Sequence, residues 1–187
     1  FSGLKLDHLL FIGSNRVAKK VASQAAKNLV PTTLELGGKS PTIIGTNANM
    51  ALAAERILFS KTLNAGQICL SPDYIFVKKD EKRNLISELQ KAYSKFFPEP
   101  NSHNQTSMVN KHHLKRMNSY LLDATKKGAK VESLGKNDDL DRNMISTKIV
   151  TEVNDGMDVM KHEIFGPILP IMTYDSISDV VDYINKN

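Results

Sequence analysis

His8-Leu9-Leu10-Phe11-Ile12 runs into Gly13-Ser14; Val17, Val21, Ala25 and Leu29 then recur every four residues, and Pro31 leads into Thr32-Thr33-Leu34-Glu35-Leu36. The first run is short, apolar and closed by a small-residue turn, which is the signature of a buried strand. The four-residue spacing lays one apolar stripe along a helix. Pro31 cannot continue that helix, because its ring clashes with the preceding turn and it has no N–H to donate. Thr32 to Leu36 then resumes as extended chain. Strand, helix and strand in succession make a βαβ unit, whose strands lie parallel because the helix carries the chain back across the sheet.

The alternation continues outward from that unit. Pro41 to Ile44 reads as a short strand and Met50 to Leu63 as an Ala-rich helix. Tyr74 to Val77 is rich in β-favouring residues. A long amphipathic helix follows, with Leu85, Ile86, Leu89, Ala92, Tyr93 and Phe96 on one stripe. Pro98 to Thr106 is polar and proline-punctuated, hence a loop, and its Asn104-Gln105-Thr106 is a glycosylation sequon by pattern only. Leu114, Met117, Leu121 and Ala124 mark another helix, ended by Gly128. Strands are expected near residues 130–134, 148–153 and 168–174, and Ser176 caps a closing helix with Asp179 in its first turn. The pattern predicts an α/β fold built on a mainly parallel sheet.

Composition narrows the function classes. The 187 residues fit one domain comfortably and two small ones at most. No run approaches the ~18 apolar residues of a membrane span. One cysteine can form no intramolecular disulfide and no Cys-rich zinc site. The net charge of +5 is spread over separate doublets, Lys19-Lys20, Lys78-Lys79 and Lys126-Lys127, without interleaved aromatics, so it reads as solvated surface rather than a nucleic-acid footprint. His112 and His113 are adjacent on a helix and face different ways, so they do not share a metal. Met157 and Met160 read as packing residues. The chain opens on Phe1 and reads as a piece of something longer.

Three segments carry the chemistry. Cys69 follows Asn64-Ala65-Gly66-Gln67-Ile68, a small-residue loop after a helix and ahead of a strand. A lone cysteine is ordinarily a buried hydrophobe; a nucleophilic thiol instead needs access and an environment that favours thiolate. A glycine in such a loop lets backbone come close to a ligand. Glu35 lies in Leu34-Glu35-Leu36-Gly37-Gly38-Lys39-Ser40-Pro41, where a carboxylate within an apolar run needs a partner, such as a nearby lysine, or a task. The paired glycines suggest crowding by another segment or a ligand. The third segment is Glu163-Ile164-Phe165-Gly166-Pro167.

Taken in this order, LELGGKSP, NAGQIC and EIFGPI resemble the aldehyde dehydrogenase superfamily, with Glu35 and Cys69 spaced 34 positions apart. The likeness covers essentially the whole chain, and Cys69-Leu70-Ser71-Pro72-Asp73-Tyr74 is most similar to the class 3 and fatty aldehyde dehydrogenase branch. The resemblance implies a three-layer, mainly parallel sheet with helices on both faces. It implies that residues 1–35 are the C-terminal edge of a dinucleotide-binding domain and 36–187 a catalytic domain truncated at its C-terminal end. Cys69 would be the nucleophile, its N–H one oxyanion donor, and Glu35 the base that activates water. Gly13, Ser14, Gly37, Glu163 and Phe165 would bind NAD or NADP: the Gly13-Ser14 turn its pyrophosphate, Glu163 the nicotinamide ribose, and Gly37 and Phe165 the region of the ring. Ala18 stands where the family usually has a second glycine, which puts cofactor affinity in question. The family's catalytic asparagine would lie upstream, so the 187 residues alone are expected to be poorly active.

The implied activity is oxidation of medium- or long-chain aldehydes to carboxylic acids. The implied partners are an aldehyde substrate and, in the full-length parent, a second copy forming a homodimer. No nucleic acid is involved. The expected location is cytoplasmic or facing the cytosol, with membrane contact only through an anchor outside this chain. The alternatives are a semialdehyde-specific relative and a non-catalytic scaffold that keeps the fold; simultaneous retention of Cys69, Glu35 and Glu163 argues against the scaffold.

Overall fold

The computed structural model describes residues 1–98, 105–136 and 138–186. Asn104 of the sequon lies outside the described residues. The chain forms two compact units, Phe1–Gly38 and Lys39–Asn187.

The first unit is the βαβ element: β1 (Leu9–Gly13), α1 (Asn15–Ala26) and β2 (Thr32–Leu36). The two strands pair in parallel, with Leu9 opposite Thr32, Ile12 opposite Glu35 and Gly13 opposite Leu36. Leu9, Ala25 and Val30 form its small core. α1 stops three residues before Leu29, which lies in the left-handed region at φ 56° and is 89% exposed, so the periodic stripe overran the helix.

The second unit holds a five-stranded sheet. Its elements are β3 (Pro41–Ile43), α2 (Met50–Thr62), β4 (Tyr74–Lys78), α3 (Lys82–Phe96), α4 (Lys111–Lys126), β5 (Lys130–Ser133), β6 (Lys148–Thr151), α5 (Asp158–Lys161), β7 (Ile168–Tyr174) and α6 (Ile177–Lys186). The spatial order is β3-β4-β7-β6-β5, parallel throughout except for β5, which runs antiparallel to β6. The α/β sheet is therefore mainly parallel, as its sequence pattern requires.

Alternation along the central strands separates two cores. Ile75 and Val77 of β4, Ile149 of β6, and Leu169 and Ile171 of β7 pack with Ile57 and Leu58 of α2 and Leu85 and Leu89 of α3. Tyr74, Phe76, Val150 and Ile168 point to the opposite face, against Leu114 and Met117 of α4, Val159 and Met160 of α5, and Val180 of α6. Helices thus cover both faces, and the strands read as near-continuous apolar runs because neither face meets water. Met157 and Met160 are buried in the second of these cores. At the closing helix, Ser176 Oγ accepts the Ser178 N–H at 3.2 Å, the cap its position predicts. α5 escaped the sequence pattern because a single helical turn leaves no periodicity to detect. β6 ends at Thr151 rather than Val153 because Glu152 turns to φ 58°.

A cavity of about 360 Å³ opens where β3 and β4 end, lined by Ile44, Thr46, Asn49, Lys78 and Glu81 among others. None of the three motif segments contributes to it. No described helix is long and apolar enough to cross a membrane.

Ile75 is fully buried at the centre of the sheet. Its truncation to Ala should cost about 2–5 kcal/mol of unfolding free energy, the usual range for a core cavity. Equilibrium denaturation measures this, and a loss below about 1 kcal/mol would mean the strand is not packed between layers as described.

Candidate active site

The segment from α2 to β4 is built around consecutive left-handed residues. Asn64, Ala65 and Gly66 have φ of 51°, 54° and 70°, so the chain coils back on itself just after the helix. Such conformations are costly for Asn and Ala and persist only where the surroundings hold them. The holding groups are visible. Gln67, itself buried, donates its side-chain amide to Asn64 O at 3.0 Å and Ser107 O at 3.1 Å, while its Oε1 accepts the Val109 N–H at 2.9 Å. The Asn64 side chain in turn donates to Gln67 O at 3.2 Å.

Beyond this brace the chain makes a turn closed by Ser71 N–H donating to Ile68 O at 3.0 Å, with Cys69 and Leu70 at its apex. Cys69 is exposed and free, contrary to the ordinary fate of a lone cysteine. The turn is anchored from beneath: Ser40 Oγ donates to Cys69 O at 3.5 Å and Ser71 Oγ to Ser60 O at 3.4 Å.

Gly66 is needed for a different reason from the one its position suggested. A Cβ there would sit 2.6 Å from Gly166 O, so the backbone that approaches Gly66 belongs to the EIFGP segment. A Cβ at Gly166 would in turn strike Met117 Sδ at 2.2 Å. The two glycine-bearing motifs therefore lie backbone to backbone, with α4 behind the second. A Cβ at Gly38, by contrast, would meet nothing within 4 Å, so no other segment of this chain crowds that glycine.

One carboxylate joins all three loops that precede β3, β4 and β7. Asp73, in the Cys69 segment, accepts hydrogen bonds from Lys39 Nζ on one oxygen and from the Ile164 N–H at 3.0 Å on the other. Lys39 also donates to Val159 O at 2.9 Å and His162 O at 3.2 Å, and its ammonium lies 5.4 Å from the centre of the Tyr74 ring. The Asp73 side chain is 5% exposed and that of Lys39 22%, so this pair is not a solvent-screened surface contact. Lys39 thus pairs with Asp73, 34 positions away, and not with its neighbour Glu35. Beneath the same junction Lys61 is fully buried and donates to Pro72 O at 2.9 Å. Burial lowers its pKa to about 8; Asp73 and Glu163 oppose that shift, and Lys39 adds to it.

The third motif is held from α4. Arg116 Nη1 donates to Glu163 O at 3.2 Å, and its guanidinium lies 5.6 Å from the Tyr120 ring centre, which stacks on His162 with a centroid separation of 6.5 Å. Glu163 and Phe165 are half-buried, and Phe165 occupies φ 46°, an uncommon conformation for an aromatic residue. The structure therefore brings Cys69, Glu163 and Phe165 to one edge of the second unit, where the parallel strands begin.

The remaining candidates belong to the first unit. Gly13 ends β1 and Ser14 is the N-cap of α1, while Glu35 is exposed one residue before the end of β2 and Gly37 follows it, exposed. Ser14 O takes the N–H groups of Val17 and Ala18, and α1 has no acidic residue in its first turn. The N-terminus of this 12-residue helix carries the partial positive charge of the helix dipole, with no acidic side chain in its first turn to neutralise it. The Ala18 methyl is buried, so it is not an exposed obstacle beside that helix start. Among the described residues no three His, Cys, Asp or Glu side chains are grouped to hold a metal ion.

The aldehyde dehydrogenase family profile matches residues 3–187. The chain belongs to the aldehyde dehydrogenase family. It is 44% identical over its full length to a probable coniferyl aldehyde dehydrogenase of Caulobacter vibrioides, covering 40% of that protein. It is 36% identical to mouse aldehyde dehydrogenase family 3 member A2, over 97% of this chain and 37% of that one, so class 3 enzymes are among its relatives. Among solved structures it resembles the substrate-bound state of Staphylococcus aureus AldH, with a TM-score of 0.91 and 38% identity over 99% of this chain and 40% of the other. It also resembles S. aureus betaine aldehyde dehydrogenase in complex with NAD+, with a TM-score of 0.85 and 25% identity over 98% of this chain and 38% of the other. The chain thus spans about two fifths of the length of these relatives.

The residues that sequence reasoning did not single out are Lys39, Asp73, Lys61 and Gln67. Lys39, Asp73 and Gln67 stand inside the quoted motifs, so the signal was present but their roles were not separable from it. Replacing Gly66 by Ala, at φ 70° and against Gly166 O, should destabilise the family's cysteine loop by more than about 1 kcal/mol. It should also change the alkylation rate of Cys69. Thermal unfolding and thiol labelling read the two effects, and a variant matching the wild type in both would show that the two loops do not touch.

Proposed function

We propose that the full-length protein oxidises an apolar aldehyde to its carboxylic acid with NAD or NADP, with Cys69 as nucleophile. The observation that carries this is the exposed Cys69 at the apex of a turn braced by Gln67 and joined through Asp73 to the Glu163 segment. The Cys69 thiolate adds to the aldehyde carbonyl and forms a thiohemiacetal. The Cys69 N–H, which donates to no acceptor among the described residues, is suited to stabilise the oxygen that becomes negative. A bound nicotinamide dinucleotide supplies the hydride acceptor, and a thioester on Cys69 remains. Glu35 takes a proton from the water that hydrolyses this thioester, releasing the acid and restoring the thiol. Gly13, Ser14 and the start of α1 hold the pyrophosphate, Glu163 the nicotinamide ribose, and Gly37 and Phe165 the surroundings of the ring.

Leu70, 83% exposed beside Cys69, favours an apolar substrate. The resemblance of the Cys69 segment to the fatty aldehyde dehydrogenase branch supports a medium- or long-chain aliphatic aldehyde, and the 44% identical probable coniferyl aldehyde dehydrogenase supports an aromatic one. NADH production by the full-length protein, over aliphatic aldehydes of increasing length and coniferyl aldehyde, separates the two. Cys69→Ser should lower turnover by about 10³-fold or more. Glu35→Gln should slow hydrolysis so that an acyl adduct accumulates on the Cys69 peptide. Wild-type turnover by Cys69→Ser would remove the nucleophile assignment, and an unchanged Glu35→Gln rate without adduct would remove the base.

A further inference from the structure

Lys61 breaks the pattern of its own helix. The buried stripe of α2 runs through Ala54, Ile57 and Leu58, and the next position on it is Lys61, one of the largest fully buried side chains in the chain. A lysine is almost never enclosed this completely, and an apolar residue would satisfy the stripe at lower cost. Local rules are broken in this way most often where function demands it.

The position explains what the lysine does. Its Nζ donates to Pro72 O at 2.9 Å, and a Cβ on Gly66 would lie 3.0 Å from its carbonyl oxygen. Its neighbour Ser60 accepts from Ser71 Oγ. The last turn of α2 therefore lies against the chain at Gly66 on one side of Cys69 and is hydrogen-bonded to Ser71 and Pro72 on the other. The charged groups that act on the ammonium are Asp73 from the loop before β4, Glu163 from the loop before β7, and Lys39 from the loop before β3. These four groups balance as two cations and two carboxylates.

We infer that Lys61 is a positioning residue, which holds the Cys69 turn through the Pro72 carbonyl and keeps the charge balance beneath it. This rests on the assignment of Cys69 as the reactive thiol. A titration accompanies the geometry. Burial lowers the Lys61 pKa from 10.5 to about 8, so between those values the unfolded chain binds more protons than the native one. Stability from this group therefore rises with pH across that window, and below about pH 8 the native state carries a buried cation at a cost. Function and stability pull in opposite directions at this position.

The test uses the full-length protein with Lys61→Met, which is unbranched like lysine and one atom shorter, and removes donor and charge. Alkylation of Cys69 by iodoacetamide is followed by mass spectrometry on its peptide from pH 6.5 to 9.5, alongside kcat, KM and thermal unfolding. The variant should melt no lower than the wild type at pH 7, and its Cys69 should react about tenfold more slowly, the scale of one charge-assisted hydrogen bond. Its kcat should fall while the KM for aldehyde holds, and the difference in labelling rate between variant and wild type should narrow above about pH 8, where Lys61 loses its proton. If Lys61→Met does not fold, Lys61→Leu, which likewise removes donor and charge, is read in the same way. A folded variant with wild-type labelling rate and pH profile overturns the inference. Absence of aldehyde oxidation by the wild type would remove the proposed activity but leave the labelling comparison intact.

Discussion

A carboxylate withdrawn from water at Asp73 must find donors, and the loops of the second unit are arranged by where those donors come from. One oxygen takes the Lys39 ammonium from the loop before β3, and the other takes the Ile164 N–H from the loop before β7. Asp73 itself lies four residues after Cys69. Removing one partner of a buried pair leaves an uncompensated charge, which is far more costly than losing a surface contact. The loops before β3, β4 and β7 are therefore fixed against one another by electrostatics, and the Gly66–Gly166 contact lets the backbones of the last two meet.

This arrangement runs against the usual placement of sites in open α/β sheets, where ligands collect beyond the carboxyl ends of the strands. In the second unit Cys69 and Glu163 precede β4 and β7, so the candidate residues gather where parallel strands begin. The cavity at the opposite ends of β3 and β4 includes no motif residue. The first unit keeps the usual rule: Gly13, Ser14 and Glu35 lie at the carboxyl ends of β1 and β2. The first unit places the N-terminus of a 12-residue helix at that end, whereas the second carries an exposed thiol on a braced turn.

Much of this was legible in the residues, for reasons that differ by element. β7 spans its apolar run because a strand buried on both faces carries unbroken apolar signal, whereas β2, exposed over most of its length, is bounded by Pro31 and Gly37. α1 was overestimated because Leu29 fits the helical stripe although its backbone has already turned left-handed. Cys69, Glu35 and Glu163 stood out through their motifs, in which Gly66, Gln67, Asp73 and Gly166 serve packing and bracing. The Asp73 junction could not be read because it joins segments far apart in sequence, and the burial of Lys61 because it depends on how the following loop folds back. A lysine in the last turn of a helix is expected at the surface, beside the negative end of the helix dipole; only the loop folded over it encloses Lys61.

The dependence of the site on this junction is tested most directly by a double-mutant cycle in the full-length protein with Lys39→Met and Asp73→Asn, read by unfolding free energy and by the alkylation rate of Cys69. If the pair holds the three loops, each single change should account for most of the loss and the double should add little, giving a coupling energy above about 1 kcal/mol. Additive effects with undisturbed Cys69 reactivity would contradict the account, since the loops would then be held without their shared carboxylate.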